Sequence, residues 1–275
     1  MKNIVKSIGL ITLICFSFFY TEKVIDVVNE QDDIMIKIKE VKDNYKIDSV
    51  NATISENTII PGINGREVDI EKSYQNMKQI GIFNENYFIY KEVPPKNKLE
   101  DNYDKYIING NLTKKYISLI FIINSDRDLE NILNNIDSKV NLNLFIDYEV
   151  LLNNLDKLKK TNYNIYSYGK GGKYDNDILK LSNNVIERNF NTSLYCIENE
   201  NNAFKVCSNN KMHTIKGIYL SNAYNEIKKV INKNNIIVIN NDYKNIKEFD
   251  YLINYINSKG YKIESLENLL SENLA

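Results

Sequence analysis

The chain has 275 residues, with 35 Lys+Arg against 36 Asp+Glu and a formal charge of −1. That balance creates no overall field to steer the protein toward nucleic acid, so a nucleic-acid partner is not expected. The length allows one large domain and a smaller one. Heavy use of Asn, Lys and Ile, with no Trp and 3 Pro, reads as a base-composition bias, so the Asn-x-Ser/Thr triplets at Asn51, Asn111 and Asn191 receive no role.

Residues 1–23 open on Lys2-Asn-Ile-Val-Lys6 and continue as an uncharged run from Ser7 to Thr21. A basic start followed by an apolar block has the form of an export signal. The block is short of the ~20 residues that a span needs, but the Val24–Val28 flank lengthens it. No small-x-small cleavage site follows, so a signal anchor is favoured over a cleaved signal peptide, with the rest of the chain outside the cytoplasm. Cys15 follows Ile14 where lipidation needs a small residue, which argues against a lipoprotein.

Residues 24–50 read as a membrane-proximal linker, with Ile34, Ile36 and Ile38 alternating as in a stalk or amphipathic strand. Residues 51–111 read as a small α+β domain. Its helix is expected from Asp69 to Gly81, where Ile70, Tyr74, Met77 and Ile80 share a face, and a strand is expected at Phe88–Tyr90. The pair Pro94-Pro95 marks a break.

From residue 116 to 275, short β-rich runs alternate with amphipathic helices. Strands are expected at Tyr116–Ile123, Asn141–Ile146, Tyr163–Ser167, Thr192–Ile197, His213–Leu220, Asn235–Asn240 and Tyr261–Glu264. Between and after them the spacing predicts helices over Leu129–Asp137, Glu149–Lys160, Asp175–Arg188, Ala223–Asn232, Ile246–Lys259 and Ser265–Glu272. This alternation indicates βαβ units and parallel pairing. Seven strands favour a barrel over an open sheet.

The order of these elements, with the segments Ser118–Asn124, Leu142–Asp147, Ile236–Asn241, Leu252–Lys262 and Leu266–Leu270, resembles the polysaccharide deacetylase family, or NodB-homology domain. The resemblance covers Tyr116 to Leu270 and implies a deformed (β/α) barrel. Members of that family remove acetyl groups from envelope sugars. They use a divalent metal held by one carboxylate and two imidazoles, with a second carboxylate as base. The family's Thr-Phe-Asp-Asp-Gly pattern falls on Ile120-Phe121-Ile122-Ile123-Asn124, so Ile122 and Ile123 replace the base and a metal ligand. Its His-x-x-x-His pair falls on Tyr168 and Gly172, and its late acid histidine on Asn240. A check free of alignment agrees: the chain holds a single histidine, His213, which cannot supply two ligands and an acid.

The resemblance therefore implies a degenerate member with no catalytic or metal-binding residues and no cofactor. A pseudoenzyme that binds cell-wall glycan or an envelope protein is expected, with Tyr166, Tyr168 and Asn240 as candidate ligand-binding residues at the mouth. The rivals are an active deacetylase with a site rebuilt from Asp147, Asp175 or Asp177, and a purely structural envelope protein.

Asp126 and Asp128 read as residues capping the start of the following helix. His213, without Cys, Asp or Glu at ligand spacing, reads as structural. Gly169-Lys-Gly-Gly172 lacks the phosphate-cradle spacing and reads as a flexible loop. Cys196 and Cys207 flank a polar loop from Glu198 to Lys205 and, in an exported chain, are expected to form a disulfide, which requires Cα atoms within about 7 Å.

Overall fold

The computed structural model describes residues 11–13, 15–17, 24, 27–190, 192, 194–199, 203–233 and 235–274. Asn191 and most of the expected export segment lie outside them. No described helix is long and apolar enough to cross a membrane. In chain order the strands are β1 (Thr53–Ile54), β2 (Thr58–Ile60), β3 (Gly65–Val68), β4 (Tyr90–Val93), β5 (Tyr106–Ile107), β6 (Tyr116–Ile123), β7 (Asn143–Ile146), β8 (Asn164–Ser167), β9 (Tyr195–Ile197), β10 (His213–Ile215), β11 (Ile218–Leu220), β12 (Ile236–Ile239) and β13 (Lys262–Ile263).

The chain divides into two compact units, Met1–Ser49 with Asn64–Val93, and Val50–Ile63 with Pro94–Ala275. The expected boundaries at 50 and 111 are thereby corrected. Residues 34–38 are not a stalk or strand. They lie in a helix, Asp33–Val41, capped by Asp32 accepting from the Ile34 N–H, and Met35 and Ile38 face inward one turn apart. Together with Val68, Tyr74, Met77 and Phe88 they form the core of the smaller unit. Its second helix, Ile70–Ile80, starts at Asp69, which accepts from the Lys72 N–H, and stops at Gly81 in the left-handed conformation, φ +81°. Both ends match the sequence signals. The strand expected at Phe88–Tyr90 starts at Tyr90 and pairs antiparallel with β3.

In the larger unit a parallel sheet runs β11-β12-β6-β7-β8, with β13 beside the start of β6. Period-two alternation sorts its side chains. Ile117, Leu119, Phe121 and Ile123 of β6 face one core with Leu144, Ile146, Ile165, Ile237 and Ile239, packed beneath helices such as Asp126–Asn135 and Phe249–Ser258. Ile120, Phe145, Tyr166, Ile236 and Val238 face a second core. That core is shared with Ile59, Ile107, Ile197 and Ile215 of a second sheet, β1-β2-β5-β10-β9, and with Leu266, Leu269 and Leu270 of the last helix. Among the described residues, no strand pairing joins the two sheets into one closed barrel.

The single strand expected at His213–Leu220 is two, β10 in one sheet and β11 in the other. The switch falls at Lys216-Gly217. A Cβ at 217 would stand 2.9 Å from Ile236 Cγ2 and 3.0 Å from the Ile236 carbonyl oxygen, so only glycine permits the close pass over β12. The segment after Glu198 is not wholly a polar loop either, because Ala203–Asn209 is helical. Cys207 on this helix is disulfide-bonded to Cys196 on β9, with Cα atoms 6.4 Å apart.

Candidate functional site

In parallel α/β sheets, ligand sites lie beyond the C-terminal ends of the strands. A cleft of about 360 Å³ lies there. Its floor is Ile122, near the end of β6, with Val238 of β12, and Ile239 borders it at the end of that strand. Tyr168 follows β8 and Tyr219 belongs to β11, and Asn124, Asn240, Asn241, Asp128 and Asp242 supply the polar rim. Three residues named from sequence, Ile122, Tyr168 and Asn240, thus meet in one cavity.

The other named residues do not line it. Ile123 is fully buried on the helix-covered face of β6, because one residue along a strand reverses the side-chain direction. Tyr166 is also misplaced by the sequence reading. It is 1% exposed and stacks on Phe145 with ring centroids 4.9 Å apart. Its hydroxyl donates to Glu267 Oε2 at 2.7 Å and to Asn143 Oδ1 at 3.2 Å, tying the last helix to the sheet. Burial, then the neighbouring Glu267, holds that phenol well above the usual range.

Gly172 is buried at φ +72°, and a Cβ there would stand 3.1 Å from the Tyr168 ring. A side chain at 172 would therefore be strained. The glycine run forms a tight turn, with a Lys170–Lys173 bridge and the Gly171 N–H donating to Asp147 Oδ2 at 2.5 Å, rather than an open loop.

The carboxylates in and near the cleft serve the backbone. Asp128 Oδ2 accepts from the Asn124 N–H at 3.2 Å, and Asp242 accepts from the Asn245 N–H at 2.8 Å and the Asn245 amide at 3.1 Å. The cap of the helix Asp126–Asn135 is Ser125, not Asp126 or Asp128. Asp126 instead accepts from the Asn154 amide at 2.5 Å. Asp147 and Asp175 each cap a helix, through the Glu149 and Ile178 N–H groups. Neither these two nor Asp177 lies in the cleft.

The divalent metal that the family resemblance implies does not fit these residues. The positions that the resemblance gives to metal ligands hold Ile123 and Gly172, which have no side-chain donor atom, and Tyr168. Among the described residues, no three His, Cys, Asp or Glu side chains gather at metal-holding distance. Tyr168 is half-buried and its phenol is raised by burial, so it stays a neutral hydrogen-bond donor. What remains is an apolar floor, two phenols and a rim of carboxamides with two carboxylates already engaged by backbone N–H groups, suited to binding polar uncharged groups.

His213 is 8% exposed on β10, away from the cleft, and stacks on Tyr103 with centroids 4.4 Å apart. Burial pushes its imidazole down to about 4, so it is neutral near pH 7. Sequence reasoning had no signal for Asn124, Tyr219 or Asn241, which reach the cleft only through the strand order.

No protein-family model matches the chain. One curated relative, the uncharacterized protein YlxY of Bacillus subtilis, is 29% identical over 163 residues, 58% of this chain and 50% of that protein. The chain thus spans half the length of that relative. Among solved structures, wild-type BA3943 of Bacillus anthracis, described as a CE4 family pseudoenzyme, is 23% identical. Its TM-score is 0.59 over 89% of this chain and 97% of that one. A mutant of BA3943 with restored enzymatic activity gives 22% identity and a TM-score of 0.60 over 89% of this chain and all of that one. The chain therefore shares the mixed α/β, parallel-sheet fold of BA3943.

Proposed function

We propose that the chain is a degenerate member of the polysaccharide deacetylase family, catalytically silent and placed on the outer side of the cytoplasmic membrane. In this reading its cleft binds the neutral glycan of the cell envelope. One observation carries it: the strand-end cavity where hydrolytic chemistry would sit is floored by Ile122 and Val238 and rimmed by carboxamides, phenols and two carboxylates, Asp128 and Asp242, already bonded to backbone N–H groups. An apolar floor disfavours a bare cation. Removing groups that act as a unit leaves background activity rather than a reduced rate.

The Cys196–Cys207 disulfide supports an oxidising location. Anchoring by residues 1–23 belongs to the same proposal. So does the finer description of the fold as a deformed (β/α) barrel, supported by the inner core that both sheets share.

The test is acetate release from acetylated peptidoglycan fragments and chitin oligomers, with Zn²⁺, Co²⁺, Mn²⁺ and Ni²⁺ added in turn. Release at background is expected, together with retention on insoluble peptidoglycan that Tyr168→Ala and Asn240→Ala weaken. Chelator-sensitive release that scales with protein would refute silence. Retention unaffected by both substitutions would refute the cleft as the binding site.

A further inference from the structure

A larger groove of about 910 Å³ lies elsewhere in the same unit, between the helix Asn176–Asn189 and the segment Asn210–His213. Its size falls in the range, ~300–1,000 Å³, that holds a drug-sized ligand. Neither the fold comparison nor the cleft assigns it a role.

The walls are held before any ligand arrives. The disulfide fixes the helix Ala203–Asn209 to β9, and Cys196, Cys207, Met212, Leu179 and Tyr174 pack as one small core behind the groove. Wall positions fixed in this way lower the ordering cost of binding.

The lining chemistry narrows the ligand. Asp177 and Glu187 are matched by Lys180 and Lys211, so no net charge selects an ion. Partly exposed Tyr103, stacked on buried His213 at an interplanar angle of 24°, gives a flat apolar surface. Beside it stand the carboxamides of Asn183 and Asn184.

Asn183 carries an imbalance. Among the described residues its amide meets only the weak acceptor Met212 Sδ, at 3.2 Å, and its Oδ1 is buried without a partner, as is His213 Nδ1. An unpaired buried acceptor is costly, and the broad terminal torsion of Asn lets Asn183, itself partly exposed, turn that oxygen toward a donor in the groove. An apolar plane beside uncharged donors and acceptors matches a pyranose, which has an apolar ring face and a hydroxyl rim.

We propose that this groove is a second binding site, for a neutral oligosaccharide, with Tyr103 as the stacking surface and Asn183 as the hydroxyl acceptor. The inference does not rest on the cleft reading.

The test is calorimetric titration of the purified full chain with two probes, tetra-N-acetylchitotetraose and cellotetraose. At least one should bind saturably. Asn183→Leu, which removes the unpaired oxygen and should leave folding intact, and Tyr103→Ala should each weaken binding about tenfold or more, the factor that ~1.4 kcal/mol produces. Tyr103→Phe, which keeps the ring, and Tyr168→Ala, in the cleft, should retain it. The proposal is overturned if neither probe saturates at millimolar concentration. It is also overturned if Asn183→Leu and Tyr103→Ala bind as tightly as the unaltered chain, or if Tyr168→Ala alone abolishes binding. The cleft reading fails separately, through the Tyr168 and Asn240 variants on peptidoglycan.

Discussion

The cleft and the groove sit in one structural unit and differ in how their polar groups are satisfied. At the cleft, Asp128 and Asp242 are bonded to backbone N–H groups, Asn241 bridges Asn131 and the Asp128 carbonyl, and Asn240 is open to solvent. In the groove wall, Asn183 Oδ1 and His213 Nδ1 are buried with no partner among the described residues. Topology points to the cleft as the place for a ligand, whereas unspent hydrogen-bonding capacity lies in the groove wall. Position in a fold and readiness to bind are separate properties.

Four measurements can break or sharpen that contrast. The largest effect is expected beneath the cleft, where Phe145 is the cross-strand neighbour of Ile122 and stacks on Tyr166. Phe145→Ala should cost about 3–5 kcal/mol in chemical denaturation, as a buried aromatic does when truncated. A loss under 1 kcal/mol would mean the inner core does not hold the cleft floor.

Next is the wall of the groove. Replacing both Cys196 and Cys207 with Ser should cost roughly 3 kcal/mol, the loop-closure value for a short ring, while leaving the cleft's glycan retention unchanged. Unaltered stability, or two free thiols in the purified protein by mass spectrometry, would remove the disulfide from the account.

The third effect is a pH dependence. Unfolded imidazole takes up a proton near 6.5, whereas buried His213 resists until about 4. Between those values the unfolded state binds more protons, so stability falls as pH drops from about 6.5 to about 4 and levels off below. The loss should be on the order of 3 kcal/mol. Melting temperature against pH, compared with His213→Phe, isolates it. Equal slopes in both proteins would show that the imidazole is not the titrating group.

Smallest is the direct comparison of two asparagines. Asn183→Leu should stabilise by about 1 kcal/mol by deleting an unpaired buried acceptor, while Asn240→Leu, at an exposed position, should stay within about 0.5 kcal/mol. Destabilisation by Asn183→Leu would mean that its carboxamide is satisfied after all.

Much of the fold was legible because local signals were strong. The run Tyr116–Ile123 is a strand at the bounds its sequence implies, and Asp69 and Gly81 close their helix as capping chemistry requires. Residues 34–38 were misread because Ile34, Ile36 and Ile38 satisfy a two-residue period while Met35 and Ile38 satisfy a helical one, and only packing chose between them. The break at Gly217 was hidden because its cause, contact with Ile236, lies across the sheet.

The sequence by itself determined that a site needing two imidazole ligands and a separate acid histidine cannot be assembled from this chain, since it holds one histidine. It also determined the alternation of strands and helices, and it pointed to the disulfide partners. Only the tertiary structure decided which side chains face which space. Ile122 meets the cleft while Ile123 beside it does not, Tyr168 borders the cleft while Tyr166 is sealed in the core, and His213 stacks on Tyr103 from far along the chain. The physical reason is that strand direction is fixed locally, but which face becomes cavity and which becomes core depends on what the second sheet and the last helix cover.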